Sequence, residues 1–125
     1  MNKILIVDDQ ESIRNLFKDA FDPQKYYVLT AASAEEALDL LAKENVKVLF
    51  FDLKLPGMDG LELCKRVRKF HPIAIINAIT GYNSLFELVD CRRAGFDDYF
   101  TKPLNLGTLF RATNESFAKL ERWGA

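Results

Sequence analysis

Residues 47–60 read KVLFFDLKLPGMDG. Val48, Leu49, Phe50 and Phe51 form an apolar run with no polar alternation, the pattern of a strand covered on both faces by helices. The run closes on a carboxylate, Asp52, and a Pro56-Gly57 turn follows. Asp59 then precedes an apolar helical pattern and is suited to cap that helix. A charge at the end of a buried strand is costly without partners, so its neighbours in the fold carry the question of function.

Working outward, four more short apolar runs recur: KILIV (3–7), YYVLTA (26–31), AIINAI (74–79) and DYFT (98–101), with KVLFF (47–51) as the third of five strands. Between and after them, Ser12 to Phe21, Ala34 to Lys43, Leu61 to Phe70, Ser84 to Ala94 and Leu106 to Leu120 read as helices. Ser33 with Glu36 fits a capping box, Asn83 or Ser84 is placed to cap the fourth helix, and Gly95 after two arginines fits a left-handed helix stop. Leu106, Leu109, Phe110, Thr113, Phe117 and Leu120 form one stripe on the last helix. Strict strand–helix alternation predicts βαβ units and a parallel sheet, an α/β fold.

The chain has 125 residues, the size of a single domain spanning 1–125. It carries 17 Lys and Arg against 18 Asp and Glu, and the cations are not gathered into a stripe, which argues against direct nucleic-acid binding. Cys64 and Cys91 lack the spacing of a metal knuckle or redox pair and read as reduced thiols. The N-terminal apolar run is too short for a signal-peptide core, and no run is long enough to span a membrane. A cytoplasmic protein is expected. The ending ERWGA suits either a complete protein or a cut at a domain edge.

In open parallel sheets, ligands bind beyond the carboxyl ends of the strands, near the point where strand order reverses. The residues closing the predicted strands are Asp8 and Asp9, Asp52, Thr80, and Lys102 followed by Pro103. If the first strand is central, they converge. Three carboxylates together repel one another unless a cation is supplied, and an all-oxygen donor set favours Mg²⁺ over zinc or copper. Because Mg²⁺ combines one or two carboxylates with phosphate oxygens, phosphoryl transfer is indicated. Lys102 can neutralise phosphoryl oxygens, Thr80 can donate to one, and Gly81 leaves room for approach. Asp52 remains as the nucleophile.

These residues carry a resemblance. From ILIVDDQ through FFDLKLPGMDG and AITGY to AGFDDYFTKPLN, the chain resembles the receiver domain of two-component response regulators, single-domain chemotaxis-type members included. The resemblance implies a flavodoxin-like, doubly wound (βα)5 sandwich with strand order 2-1-3-4-5. It implies that Asp52 accepts phosphate from a histidine kinase, and that Asp8, Asp9, Asp52 and the backbone carbonyl of Lys54 bind Mg²⁺. It assigns Thr80 and Lys102 to the phosphoryl group, Tyr99 to a rotameric switch coupled to Thr80, and the surface of the fourth helix, fifth strand and fifth helix to output. A cis Lys102–Pro103 peptide is also common among such proteins.

Lys54 and Tyr82, two residues beyond Asp52 and Thr80, would flank the path of hydrolytic water, and neither offers an obvious base. Slow autodephosphorylation is therefore expected. The partners expected are a sensor histidine kinase or histidine phosphotransfer protein and an output protein or domain. A monomer is expected at rest, with dimerisation on phosphorylation left open. An Mg²⁺-dependent phosphatase or mutase with an aspartyl nucleophile shares the chemistry, but resembles other such enzymes in a second acid where this chain has Lys54. A receiver-like interaction module without phosphorylation would lack one of the five key groups, and all are present. Outside the site, His71 reads as a surface residue, and Phe110, Phe117 and Trp123 as core or helix-end packing. Leu85, Phe86, Leu88 and Val89 cannot all face inward on one helix, so an apolar patch is expected there.

Overall fold

The computed structural model describes residues 1–81 and 85–124. Among them, strands and helices alternate: β1 (Asn2–Val7), α1 (Glu11–Ala20), β2 (Tyr26–Ala31), α2 (Ala34–Lys43), β3 (Val48–Asp52), α3 (Gly60–Phe70), β4 (Ile75–Thr80), α4 (Leu85–Ala94), β5 (Asp98–Thr101) and α5 (Leu106–Arg122). Element bounds differ from the sequence reading by one or two residues, and one difference matters: Asp52 and Thr80 are the last paired residues of β3 and β4. Ser84 as helix start, the Asn83 or Ser84 cap, and the side chains of Leu85 and Phe86 lie outside the described residues.

All strand pairs are parallel and the sheet order is β2-β1-β3-β4-β5. Because the pleat sends alternate side chains to opposite faces, each strand supplies two cores. Leu5, Val7, Leu49, Phe51, Ile76 and Ala78 join the side containing Ala37 and Leu41 of α2, Leu63 and Val67 of α3, and Cys91 of α4. Ile4, Ile6, Val48, Phe50, Ile75 and Ile79 join the side containing Phe17 of α1 and Leu109 of α5. Phe17 and Phe50 meet edge-on at 5.0 Å between centroids. With apolar surface removed from water on both faces, β3 is buried along its whole length, which explains the unbroken run in its sequence.

The helix ends follow local chemistry. Asp59 accepts a hydrogen bond from Glu62 N at 2.9 Å and Asn105 accepts one from Thr108 N at 2.8 Å. Ser33 accepts from Glu36 N at 3.2 Å, but Glu36 reaches back to Ala32 N, one residue beyond the capping-box partner. Gly95 has φ +106°, and Phe96 N donates to Cys91 O at 3.1 Å, closing α4 in a left-handed turn.

On α5 the buried side chains are Leu109, Ala112, Thr113, Ser116 and Leu120, so the expected stripe is rotated. Leu106 is exposed, and Phe110 is partly exposed with its ring 5.5 Å from that of Phe21. Trp123, expected to pack a helix end, is 80% exposed. His71, expected at the surface, is half-buried, and burial together with Lys47 and Arg68 holds its imidazole below the ordinary value. On α4, Val89 is exposed and Leu88 half-buried. Cys64 and Cys91 are both buried as free thiols, pushed up to about 12 and about 11 chiefly by desolvation. No helix among the described residues is long and apolar enough to cross a membrane.

The sheet edge opposite the carboxyl ends is tied by one guanidinium. Arg68, at the end of α3, donates to the carbonyls of Ala74 and Pro72 before β4, and to Gly95 beyond α4. It also pairs with Asp97, 2.9 Å away, whose carboxylate accepts Ile76 N at 2.8 Å. No ammonium can serve these planar, divergent acceptors at once. Arg68→Ala is expected to lower unfolding free energy by about 2 kcal/mol through orphaned carbonyls, with Arg68→Lys recovering little, measured by urea denaturation.

Candidate functional site

Register builds the site. Val7 pairs with Phe51 across β1 and β3, so the residues that follow, Asp8 and Asp52, leave the sheet side by side. Asp8 N donates to Ala31 O at 3.0 Å, which carries the sheet pairing to the point where the carboxylate emerges. This rim lies at the carboxyl ends of β1 and β3, the position where strand order reverses and where open α/β sheets bind ligands.

Asp8 is fully buried and Asp52 nearly so, whereas Asp9 is exposed. One carboxylate oxygen from each of the three lies within 4.8 Å of the others. Lys102 reaches them from beyond β5, with Nζ 3.0 Å from Asp8 Oδ2 and 3.4 Å from Asp52 Oδ2. Its backbone is anchored by Lys102 N donating to Thr80 O at 2.7 Å, and the Lys102–Pro103 peptide is cis. Thr80, fully buried, stands in register with Thr101 on the neighbouring strand. Lys54 is exposed, and its N–H makes a long contact of 3.4 Å to Asp52 Oδ1.

Three carboxylates face one ammonium. Burial, and then the Asp8 charge, raise Asp52 from the ordinary 3.8 to about 6, against the opposing pull of Lys102 and the Lys54 N–H. Asp8 Oδ1 accepts Gln10 N at 2.9 Å, but Oδ2 has no hydrogen-bond partner: Lys102 sits at ion-pair distance without hydrogen-bond alignment. A buried carboxylate oxygen left this way could serve as a ligand to a metal ion.

Tyr99 stands apart from the cluster. It is half-buried on the side of the sheet covered by α2, α3 and α4, and its hydroxyl donates to Glu87 Oε1 of α4 at 2.9 Å. Tyr82 lies outside the described residues.

Three residues around the site escaped the sequence reading. Arg14 Nη1 donates to the Asp8 carbonyl at 2.8 Å. Gln10 Oε1 accepts from Lys102 Nζ at 2.7 Å, the shortest of that ammonium's contacts among the described residues. Gly60 begins α3 against the backbone of Asp52 and Leu53, where an added Cβ would clash with the Asp52 carbonyl and lie 2.8 Å from Leu53 Cα. Its N–H donates to Leu53 O at 2.9 Å, closing the loop behind Asp52. The available signal was a glycine placed directly after a helix cap, where close backbone approach is a reason for it.

The family model for the response regulator receiver domain matches residues 4–114. The chain belongs to the response regulator receiver domain family. Among its relatives, sporulation initiation phosphotransferase F of Bacillus subtilis is 36% identical over 104 residues, covering 83% of this chain and 84% of that one. The B. subtilis alkaline phosphatase synthesis transcriptional regulatory protein PhoP is 38% identical, over 82% of this chain but only 43% of its own length. The receiver domain thus accounts for most of some relatives and under half of others. A CheY-like receiver structure from Methanospirillum hungatei superposes with a TM-score of 0.92 at 35% identity, covering 98% of each chain. Chemotaxis protein CheY4 of Vibrio cholerae superposes with a TM-score of 0.88 at 30% identity, covering 93% of this chain and 98% of that one. The flavodoxin-like receiver fold and its strand order are therefore those of this chain.

The raised Asp52 carboxyl gives a stability signature. The folded protein favours its protonated form, a contribution fully present below pH 3.8 and lost as pH rises through about 6. Without divalent cations at pH 7, Asp52→Asn is expected to stabilise the fold by up to about 3 kcal/mol, with the gain shrinking toward pH 4, read from thermal melts across pH.

Proposed function

We propose that this receiver accepts a phosphoryl group on Asp52 and that the modification alters the surface of α4, β5 and α5. The observation that carries this reading is the buried Asp52 carboxylate flanked by Asp8, Asp9 and Lys102 at the sheet's switch point. The donor set fits Mg²⁺: three hard carboxylates within 4.8 Å and one buried Asp8 oxygen lacking a hydrogen bond. Asp8, Asp9, Asp52 and the Lys54 carbonyl are the residues that would hold it. Bound there, Mg²⁺ supplies charge neutralisation for the carboxylates and the phosphoryl oxygens.

The chain's own groups then have distinct tasks. Near neutral pH Asp52 is ionised, because its raised value of about 6 still lies below 7. One Asp52 oxygen forms the new O–P bond in line with the bond that breaks, between phosphorus and a histidine nitrogen of the donor. The bonding electron pair leaves with that nitrogen, and the donor ring, protonated on its other nitrogen, departs as neutral imidazole. Lys102 stays as a fixed positive charge beside the transferred oxygens, and Thr80, at the end of the adjacent strand, supplies a hydroxyl donor. Movement of Thr80 leads Tyr99 to exchange its position on α4, where it is held by Glu87, for a more inward one. The donor class is a histidine kinase or histidine phosphotransfer protein, and the reader is an output protein or domain. The exposed Lys54 carries no acid to activate water for hydrolysis.

Incubation with Mg²⁺ and acetyl phosphate is expected to add one phosphoryl group by intact mass, abolished by Asp52→Ala and by chelation of the metal. Absence of the adduct from the wild-type protein overturns this function. After removal of donor, the adduct is expected to outlast many minutes; loss within seconds contradicts the role given to Lys54 and Tyr82.

A further inference from the structure

The residue that opens α1 breaks a local rule. Gln10 occupies the N-cap position, where Ser, Thr, Asp and Asn are favoured because a short side chain can accept from the first turn. Gln10 makes no such bond. Its side chain instead crosses the rim, and Oε1 accepts from Lys102 Nζ at 2.7 Å, joining residues 92 apart in the chain. Since an ammonium only donates, the amide oxygen must face it.

We infer that Gln10 is a positioning residue for Lys102, holding its ammonium above Asp52 through a neutral acceptor; this rests on the phosphoryl-accepting role proposed for Asp52. Among the described residues, Lys102 Nζ has three close oxygens, and two belong to carboxylates of the acidic cluster: Asp8 Oδ2 at 3.0 Å and Asp52 Oδ2 at 3.4 Å. A cation or phosphoryl group entering the cluster changes the charge of both carboxylates' surroundings. Gln10 carries no charge, so its grip persists through that change.

The same contact keeps the nucleophile open. With Nζ drawn to Gln10 and Asp8, its distance to Asp52 Oδ2 is the longest of the three, at the weak end for a hydrogen bond. Without the amide, the ammonium would be free to close on Asp52 and neutralise the oxygen that must attack. The Gln10 N–H meanwhile donates to Asp8 Oδ1 at 2.9 Å. One residue thereby orients a carboxylate with its backbone and the ammonium with its side chain. Only the second task depends on which residue stands at position 10.

Gln10→Met tests this, because it keeps length and volume and removes the acceptor at an exposed site. Phosphorylation by acetyl phosphate, followed by intact mass, is expected to slow about tenfold, the effect of losing one charge-assisted hydrogen bond. In a Lys102→Ala background, Gln10→Met is expected to add no further slowing, as required if it acts through Lys102. In metal-free protein, the Lys102 side-chain NMR resonances are expected to shift in Gln10→Met while the melting temperature holds. An unchanged rate in Gln10→Met, equal slowing in both backgrounds, or unmoved Lys102 resonances each overturn the inference. Failure of wild-type protein to form any adduct would instead strike at the phosphoryl-accepting role itself, and the resonance measurement reads the Gln10–Lys102 contact independently of it.

Discussion

Everything at the rim depends on two carboxylates being forced together by sheet register. Val7 opposite Phe51 leaves no choice about where Asp8 and Asp52 go, because both strands are buried along their neighbouring residues and cannot slip. A slip by one residue would carry Leu5 and Val7 to the other core and turn the acids away from one another. The repulsion between Asp8 and Asp52 is thus sustained by apolar burial elsewhere in the sheet. That is how the fold holds mutually repelling carboxylates together.

The partners of that pair come from distant parts of the chain, and backbone contacts set each of them. Lys102 is placed by its N–H on Thr80 O, which makes the ammonium an extension of the β4–β5 pairing. Gly60 lets α3 start against the Asp52 carbonyl, so the loop after Asp52 is held tightly. At the opposite end of the strands, Arg68 gathers three carbonyls from two connections and pairs with Asp97. The rim therefore carries the charge imbalance, while at the far end Arg68 and Asp97 pair with each other. Asymmetry of this kind separates a site from a scaffold.

Legibility in the sequence varied with the range of the interaction. Elements declared themselves through local pattern: VLFF for a doubly covered strand, Asp59 and Ser33 for helix starts, Gly95 for a helix end. Asp8, Asp9, Asp52, Thr80 and Lys102 were visible because each closes an apolar run. The face of α5 was misread, since Ala112 and Ser116 are buried while Leu106 and Phe110 reach solvent. Small residues allow close approach of a helix to a sheet, which a hydrophobicity stripe does not register. Gln10 was silent for a different reason: its partner is 92 residues away, and nothing local marks that contact.

By itself, the sequence determined the alternation of strands and helices, the acids and the lysine at strand ends, and through them the chemistry proposed for the site. These follow from periodicity and residue type, which act over a few neighbours. Only the tertiary structure decided that Asp8 Oδ2 is buried without a hydrogen bond, that Asp52 is raised to about 6, and that Lys102 leans on Gln10. Those properties arise from desolvation and through-space charge, which depend on distances between strands and have no expression along the chain.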